Sequence, residues 1–106
     1  MNTYNVYVIE LRKSVMDVRR FKERNPNYNP EKPCVYVGQT AKTPEARLQQ
    51  HLSGERSNYF AKRYGVRLRP KLYEKHNGFT NRVEAEETEQ WLAKNLQAKG
   101  YGVWWN

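Results

Sequence analysis

This chain of 106 residues has a single cysteine, Cys34, and only two histidines. One thiol excludes an internal disulfide, and one cysteine with two histidines cannot fill the four positions of a structural zinc site. No apolar run approaches the roughly 20 residues of a membrane span, and residues 1–4 lack the charged and apolar regions of a secretory signal. We therefore expect one domain over residues 1–106, in the cytoplasm and not in a membrane.

Acidic residues are scarce relative to basic ones. The chain carries 19 Lys and Arg against 11 Asp and Glu, a net charge of +8. The excess lies in residues 1–80, whose net charge is +9, whereas residues 81–106 carry −1. A basic body predicts a polyanionic partner, most simply nucleic acid, although the same excess also serves solubility. The side chains predicted to contact backbone phosphates, or to form a solvated face, are Arg19, Arg20, Lys62, Arg63, Arg67 and Arg69.

Short apolar runs alternate with helix signals. Residues 5–11 and 34–38 are rich in Val, Ile and Tyr and are predicted to be strands. Residues 66–73 alternate apolar and basic side chains, and Pro70 predicts that this third strand lies at a sheet edge. Capping residues predict helices at about 14–24, 43–52, 58–64 and 81–99. We therefore predict an α+β fold, a small three-stranded, mostly antiparallel sheet flanked by helices. Residues 103–105 are a candidate terminal strand, and a basic, proline-broken segment, 12–33, is inserted between the first two strands.

The last predicted helix has one carboxylate on its apolar side. At about 100° per residue, Glu89 lies about 20° from Leu96 and about 40° from Ala85, within the apolar stripe. Burying a carboxylate is costly unless a cation, a metal or hydrogen bonds compensate it. Glu89 is therefore at the wet margin of the stripe, paired with an arginine such as Arg47, or a metal ligand. One such carboxylate is enough for Mg²⁺, which keeps several waters and binds substrate phosphate.

Two tyrosine-bearing motifs are followed along the chain by one predicted helix. The motifs are Asn5-Val6-Tyr7 and Tyr36-Val37-Gly38. Gly38 has no side chain, which predicts that another group approaches the backbone closely at this position. Arg47 follows Gly38 by nine residues and His51 follows Arg47 by four, so both side chains point the same way from a helix. Together with the late Glu84-Ala85 and Glu89, this order resembles the GIY-YIG nuclease superfamily over about residues 4–103.

The resemblance implies a divalent-metal-dependent endonuclease that hydrolyses phosphodiester bonds, with DNA as the expected nucleic acid. The catalytic residues it implies are Tyr7, Tyr36, Arg47, His51 and Glu89. Glu89 would hold one Mg²⁺ or Mn²⁺ ion, and Arg47 would stabilise charge on the phosphorane. The base is Tyr7 or Tyr36, its pKa lowered by Arg47 and the metal, or else His51, whose ordinary pKa is nearer to neutrality.

Three departures from the family pattern support other functions. Asn5 replaces the first glycine, 28 residues separate Tyr7 from Tyr36, and Gly102 follows Tyr101 where many members carry a Tyr-Asn pair. Asn106 is the residue that could fold back in place of that asparagine. The rival functions are a catalytically weak or inactive nucleic-acid-binding module on the same fold, and a protein-interaction domain that docks through 12–33. The oligomeric state is open.

Overall fold

The computed structural model describes residues 3–106. Met1 and Asn2, which belong to the 1–4 segment predicted not to be a secretory signal, lie outside the described residues. The strands are β1 (Asn5–Leu11), β2 (Cys34–Thr40), β3 (Gly65–Leu68) and β4 (Gly102–Trp105). The α-helices are α1 (Arg19–Arg24), α2 (Pro44–Ser53), α3 (Tyr59–Tyr64) and α4 (Arg82–Ala98). No helix within residues 3–106 has both the length and the apolar character needed to cross a membrane.

In the described part of the chain, the strands form one four-stranded sheet in the order β3-β1-β2-β4. β1 pairs antiparallel with β2 and β3, whereas β4 pairs parallel with β2. The predicted α+β class is confirmed. The predicted number of strands is wrong, because residues 103–105, considered as a candidate strand, belong to β4. A parallel partner far away in the sequence leaves no local turn signal that would reveal the pairing.

The third strand is shorter than predicted. The sequence pattern predicts a strand over 66–73, but β3 ends at Leu68 and two short 3-10 helices follow, Pro70–Leu72 and Glu74–His76. Pro70 causes the break, because it has no N–H for the strand ladder and its fixed φ suits the first position of a helical turn. The predicted edge position of this strand is confirmed.

Both faces of the two central strands are covered. The consecutive side chains of Val6, Tyr7, Val8 and Ile9 are all buried. Because successive side chains of a strand point to opposite faces, this pattern requires packing elements on both sides of the sheet. α4 packs against β2 and β4, and α2 contacts β1 and β3. The sheet therefore holds the two helices that carry the predicted site residues at fixed positions.

The start of the 12–33 segment folds differently from the prediction. The sequence predicts a helix that begins with a Ser14 capping box, but Ser14 lies inside a 3-10 helix, Lys13–Asp17, and no side chain caps this element or α1. Val15, in the same turn, is fully buried. Packing of Val15, rather than capping, therefore sets the position of the turn.

The rest of the 12–33 segment contributes to the core. The rings of Phe21 and Phe60 meet edge to face with their centroids 5.3 Å apart. The buried amide of Asn25 pairs with the backbone of Val103, accepting from its N–H at 2.8 Å and donating to its carbonyl at 3.0 Å. The apolar side of the segment is thus used within the domain, and its use as a partner surface stays a prediction.

Candidate active site

Side chains from β1, β2, α2 and α4 line a cavity of 430 Å³ that is open to solvent. Its lining residues are Tyr7, Tyr36, Gln39, Arg47, Arg82, Glu86, Glu89, Gln90 and Asn106. Four of the five predicted catalytic residues are in this set. The fifth, His51, lies behind the wall and contacts Tyr7. The fold therefore brings together all five residues that the sequence pattern selected.

The sheet register brings the two tyrosines together. Tyr7 lies opposite Gly38, and Ile9 lies opposite Tyr36, so Tyr7 and Tyr36 are diagonal neighbours on one face. Their ring centroids are 6.2 Å apart. A Cβ at position 38 would clash with Tyr7 Oη. The predicted close approach at Gly38 is confirmed, and it is the Tyr7 ring that needs the space.

We expect Gly38→Ala to destabilise the protein by about 1–3 kcal/mol, the usual cost of overpacking, and to lower activity by displacing the Tyr7 ring. Urea unfolding would measure the first effect. Gly78→Asn is the comparison, because an added Cβ at Gly78 meets no atom within 4 Å, so its cost comes from the φ of +93° alone, which Asn tolerates better than most residues. A Gly38→Ala variant as stable as the wild type would mean that the Tyr7 ring has room to move.

α2 presents Arg47 and His51 as the sequence predicts. Thr43 caps the helix by accepting from the Ala46 N–H at 3.1 Å, and Pro44 occupies the first turn. Gly54 ends the helix in the left-handed conformation, with a φ of +87°. One turn of helix separates Arg47 from His51, so the guanidinium lines the cavity while the imidazole faces the core.

His51 is a fixed hydrogen-bond donor to Tyr7. The Asn58 N–H donates to His51 Nδ1 at 3.1 Å, so in the neutral ring the proton is on Nε2, which lies 2.9 Å from Tyr7 Oη. Burial, together with the charge of Arg47, lowers the pKa of His51 to about 4. The imidazole is therefore neutral at pH 7 and donates to the phenol oxygen, which argues against His51 as the base.

Arg47 is held by neutral acceptors. Its Nη1 donates to Gln50 Oε1 at 3.2 Å and its Nη2 to the Arg56 carbonyl at 2.8 Å. No carboxylate within residues 3–106 forms an ion pair with it. The guanidinium is thus oriented, and its positive charge stays available to an anion in the cavity.

Both tyrosines are harder to ionise than the sequence pattern predicts. Burial raises the pKa of Tyr7 far above its ordinary value, and Tyr36 adds to the rise. Burial also raises the pKa of Tyr36 to about 12, with a further contribution from Glu89. Arg47 acts in the predicted direction at both phenols, since its charge lowers each pKa, but burial outweighs it.

Glu89 is the buried carboxylate of the site. It is 7 % exposed, and it forms no ion pair with any residue in 3–106, so the predicted alternative of a pair with Arg47 is wrong. Burial, followed by the neighbouring Glu86 carboxylate, raises the pKa of Glu89 from 4.5 to about 7. The side chain faces the same cavity as Arg47 and Arg82, yet no Lys or Arg within residues 3–106 forms an ion pair with it.

The donor set fits a hard divalent cation. Within residues 3–106, no group of three or more His, Cys, Asp and Glu side chains is close enough to share an ion, which excludes an all-protein zinc cage there. Glu89 offers one carboxylate beside room for water and phosphate oxygens, as Mg²⁺ requires. Glu86 lines the same cavity, but its Oε1 already accepts from Arg82 Nε at 3.0 Å.

Asn106 folds back into the site, as the sequence pattern allowed without requiring it. Its Nδ2 donates to Tyr36 Oη at 3.1 Å, and its side chain lines the cavity. The parallel pairing of β4 with β2 places Trp105 beside Val37, and the next residue therefore reaches the tyrosine. The sequence signal was weak, because it consisted only of a late asparagine where the family places a Tyr-Asn pair.

The six predicted phosphate contacts do not line this cavity. Arg67 and Arg69 both bond to Glu10, at 3.1 and 2.8 Å, so much of their charge is balanced. Arg19 pairs with Glu23 at 2.7 Å, and the Arg20 guanidinium lies over the Phe60 ring. Lys62 and Arg63 are exposed on α3, also outside the cavity. Their role in binding nucleic acid stays a prediction.

Comparison with known proteins identifies the family. A model described as the GIY-YIG catalytic domain matches residues 19–102. No curated protein and no solved structure matches the chain. The matched span holds Tyr36, Arg47, His51 and Glu89, while Tyr7 and Asn106 lie on either side of it and reach the site through the sheet. Since the match covers well over half of its length, the chain belongs to the GIY-YIG family of nuclease-type catalytic domains.

Proposed function

We propose that the protein is a divalent-metal-dependent endonuclease that hydrolyses phosphodiester bonds in DNA. The observation that carries the proposal is the Glu89 carboxylate, which is buried without a cation partner in residues 3–106 and faces the same cavity as Tyr7, Tyr36 and Arg47. An unbalanced buried charge destabilises a fold, so its presence beside such groups supports a ligand role.

Glu89 would hold one Mg²⁺ or Mn²⁺ ion, which when bound supplies a Lewis acid for the phosphodiester. Arg47 faces the same space, and its two neutral hydrogen bonds leave its charge unbalanced. A planar guanidinium can donate to the non-bridging oxygens where negative charge develops during attack. Arg47 therefore binds and orients the phosphate, and stabilises the transition state.

We assign Tyr7 Oη as the acceptor of the proton from the attacking water. Its partner His51 is fully buried and fixed by a second hydrogen bond from Asn58, so the Nε2–H donor cannot turn away. Such a donor stabilises a phenolate more than a phenol. The lower pKa belongs to Tyr36, but its donor Asn106 is exposed and less constrained. Because burial raises the pKa of both phenols, a phenolate can form only if positive charge in addition to that of Arg47 stabilises it.

The rival function, a nucleic-acid-binding module without turnover, loses one of its supports. The missing Tyr-Asn pair favours a binding module. However, Asn106 supplies an amide to Tyr36 from another position in the chain. Asn5, which replaces the first glycine, accepts from the Gly78 N–H at 3.3 Å and donates to the Lys42 carbonyl at 3.2 Å. This departure therefore has a structural use that is compatible with catalysis.

The experiment that tests the proposal is cleavage of supercoiled plasmid and of branched DNA, with an RNA of matched sequence beside them. We expect nicking of DNA with Mg²⁺ or Mn²⁺, none in EDTA, and recovery when the ion is restored. Glu89→Gln prepared in parallel excludes a contaminating nuclease. Cleavage of the RNA alone would overturn the DNA assignment, and salt-sensitive binding without cleavage under any ion would favour the rival.

A further inference from the structure

A second cleft, of 630 Å³, adjoins the cavity. The two share Gln39, Arg47 and Arg82 as lining residues. The remaining walls are Tyr4, the loop between β2 and α2, Gln50, and the loop between α2 and α3. A chain that places one phosphate against Arg47 therefore has an open path from the cavity into this cleft.

The cleft carries more positive than negative charge. Lys42 and Arg56 line it, and neither forms an ion pair within residues 3–106. Glu55 is the acidic residue that lines it, and Arg82 contributes a charge partly offset by Glu86. This arrangement contrasts with Arg67 and Arg69, which the sequence pattern favoured and which share Glu10.

Hydrogen bonds fix the loops that carry Lys42 and Arg56. The Lys42 N–H donates to Thr40 Oγ1 at 3.0 Å, and the Lys42 carbonyl accepts from Asn5. Arg56 has a φ of +47°, uncommon for a residue other than glycine, and its carbonyl accepts from Arg47 Nη2 at 2.8 Å. One loop residue thus both orients the guanidinium of the candidate active site and presents its own cation to the adjoining cleft.

We propose that this cleft binds the backbone phosphates next to the scissile one, through Lys42 and Arg56. The ligand class is a nucleic-acid backbone, read without regard to base sequence, because lysine and arginine contacts to phosphate carry register rather than sequence information. The inference rests on the proposed function, since it takes the cavity as the position of the scissile phosphate.

The test is the salt dependence of DNA binding, measured by fluorescence anisotropy with a labelled duplex in EDTA, so that no ion supports cleavage. The variant combines Lys42→Ala with Arg56→Asn, because Asn tolerates a positive φ. Loss of two phosphate contacts should reduce the slope of log K against log salt by about 2 and weaken binding about tenfold or more at low salt.

The control variant, Lys94→Ala with Lys99→Ala, removes the same charge from exposed positions on or beside α4. It should keep the slope of the wild type. An unchanged slope for Lys42→Ala with Arg56→Asn, an equal reduction in the control, or no binding by the wild type would overturn the inference. Cleavage by the wild type in Mg²⁺ is measured separately. Cleavage with an unchanged slope would leave the proposed function standing, and a reduced slope without cleavage would remove the function and keep the phosphate site.

Discussion

Glu89→Gln should remove metal-dependent cleavage and, without metal, make the protein more stable at pH 8. We expect cleavage to fall by more than about 100-fold, because even residues that only support metal ligands contribute 10–100-fold. The stability effect follows from the raised pKa of Glu89, from 4.5 to about 7. That difference corresponds to about 3 kcal/mol of unfavourable free energy for the ionised, buried carboxylate.

The sign of the pH dependence follows from proton binding. The folded state holds the Glu89 proton more tightly than the unfolded state, so the wild type loses stability as the pH rises from 4.5 to about 7 and is level above that. Glutamine does not ionise, and the variant escapes this loss. Urea unfolding at pH 4.5 and pH 8, in EDTA, should show a stability difference between variant and wild type at the higher pH alone.

Glu87→Gln is the matched control, because Glu87 is exposed on the same helix. It should behave as the wild type in cleavage and at both pH values. Added Mg²⁺ should stabilise the wild type and not the Glu89→Gln variant. If Mg²⁺ stabilised that variant as much as the wild type, Glu89 would not be a ligand. Equal stability of the variant and the wild type at pH 8 would mean that water solvates the carboxylate.

Tyr7→Phe should lower the single-turnover cleavage rate by about 10²–10⁴-fold, the usual contribution of a general base. Tyr36→Phe should lower it less, because Tyr7 and not Tyr36 is the assigned proton acceptor. Tyr7→Phe also leaves the Nε2–H of the buried His51 without its acceptor, which should cost about 1–3 kcal/mol of stability. The rate is therefore measured well below the melting temperature of each variant.

Tyr59→Phe provides the comparison for these tyrosine variants, since Tyr59 is 51 % exposed and does not line the cavity. It should cleave at the rate of the wild type. A larger loss in Tyr36→Phe than in Tyr7→Phe would reverse the assignment of the base. The His51 pKa of about 4 also predicts that ionisation of His51 does not shape the rate between pH 6 and 9. An inflection that disappears in a His51 variant would contradict the donor role.

Much of the site could be predicted because its signals are local. Thr43 and Pro44 begin α2 through capping and a fixed φ, and the four-residue spacing then aligns Arg47 with His51. The helical period alone put Glu89 among apolar residues, and the fold buries it. Each of these signals depends on residues within one or two helical turns, so it can be identified from the amino-acid sequence.

Which cations are balanced by carboxylates could not be predicted in this way. The alternating run that contains Arg67 and Arg69 has a clear pattern, yet β3 pairs with β1 and brings Glu10 to both guanidiniums. Lys42 and Arg56 stand in loops with no periodicity, and their shared cleft forms because the loops at the two ends of α2 both border Arg47. A charge pattern cannot reveal which cations a distant carboxylate will balance.

The sequence by itself determined the α+β class, the two tyrosine-bearing strands, the helix that carries Arg47 and the place of Glu89 on the apolar side of its helix. Only the tertiary structure decided that β4 adds to β2 and carries Asn106 to Tyr36, and that His51 donates its Nε2 proton. The physical reason is the range of the interactions. Capping and periodicity act within a few residues, whereas strand pairing, burial and charge balance depend on side chains that only the folded chain brings together.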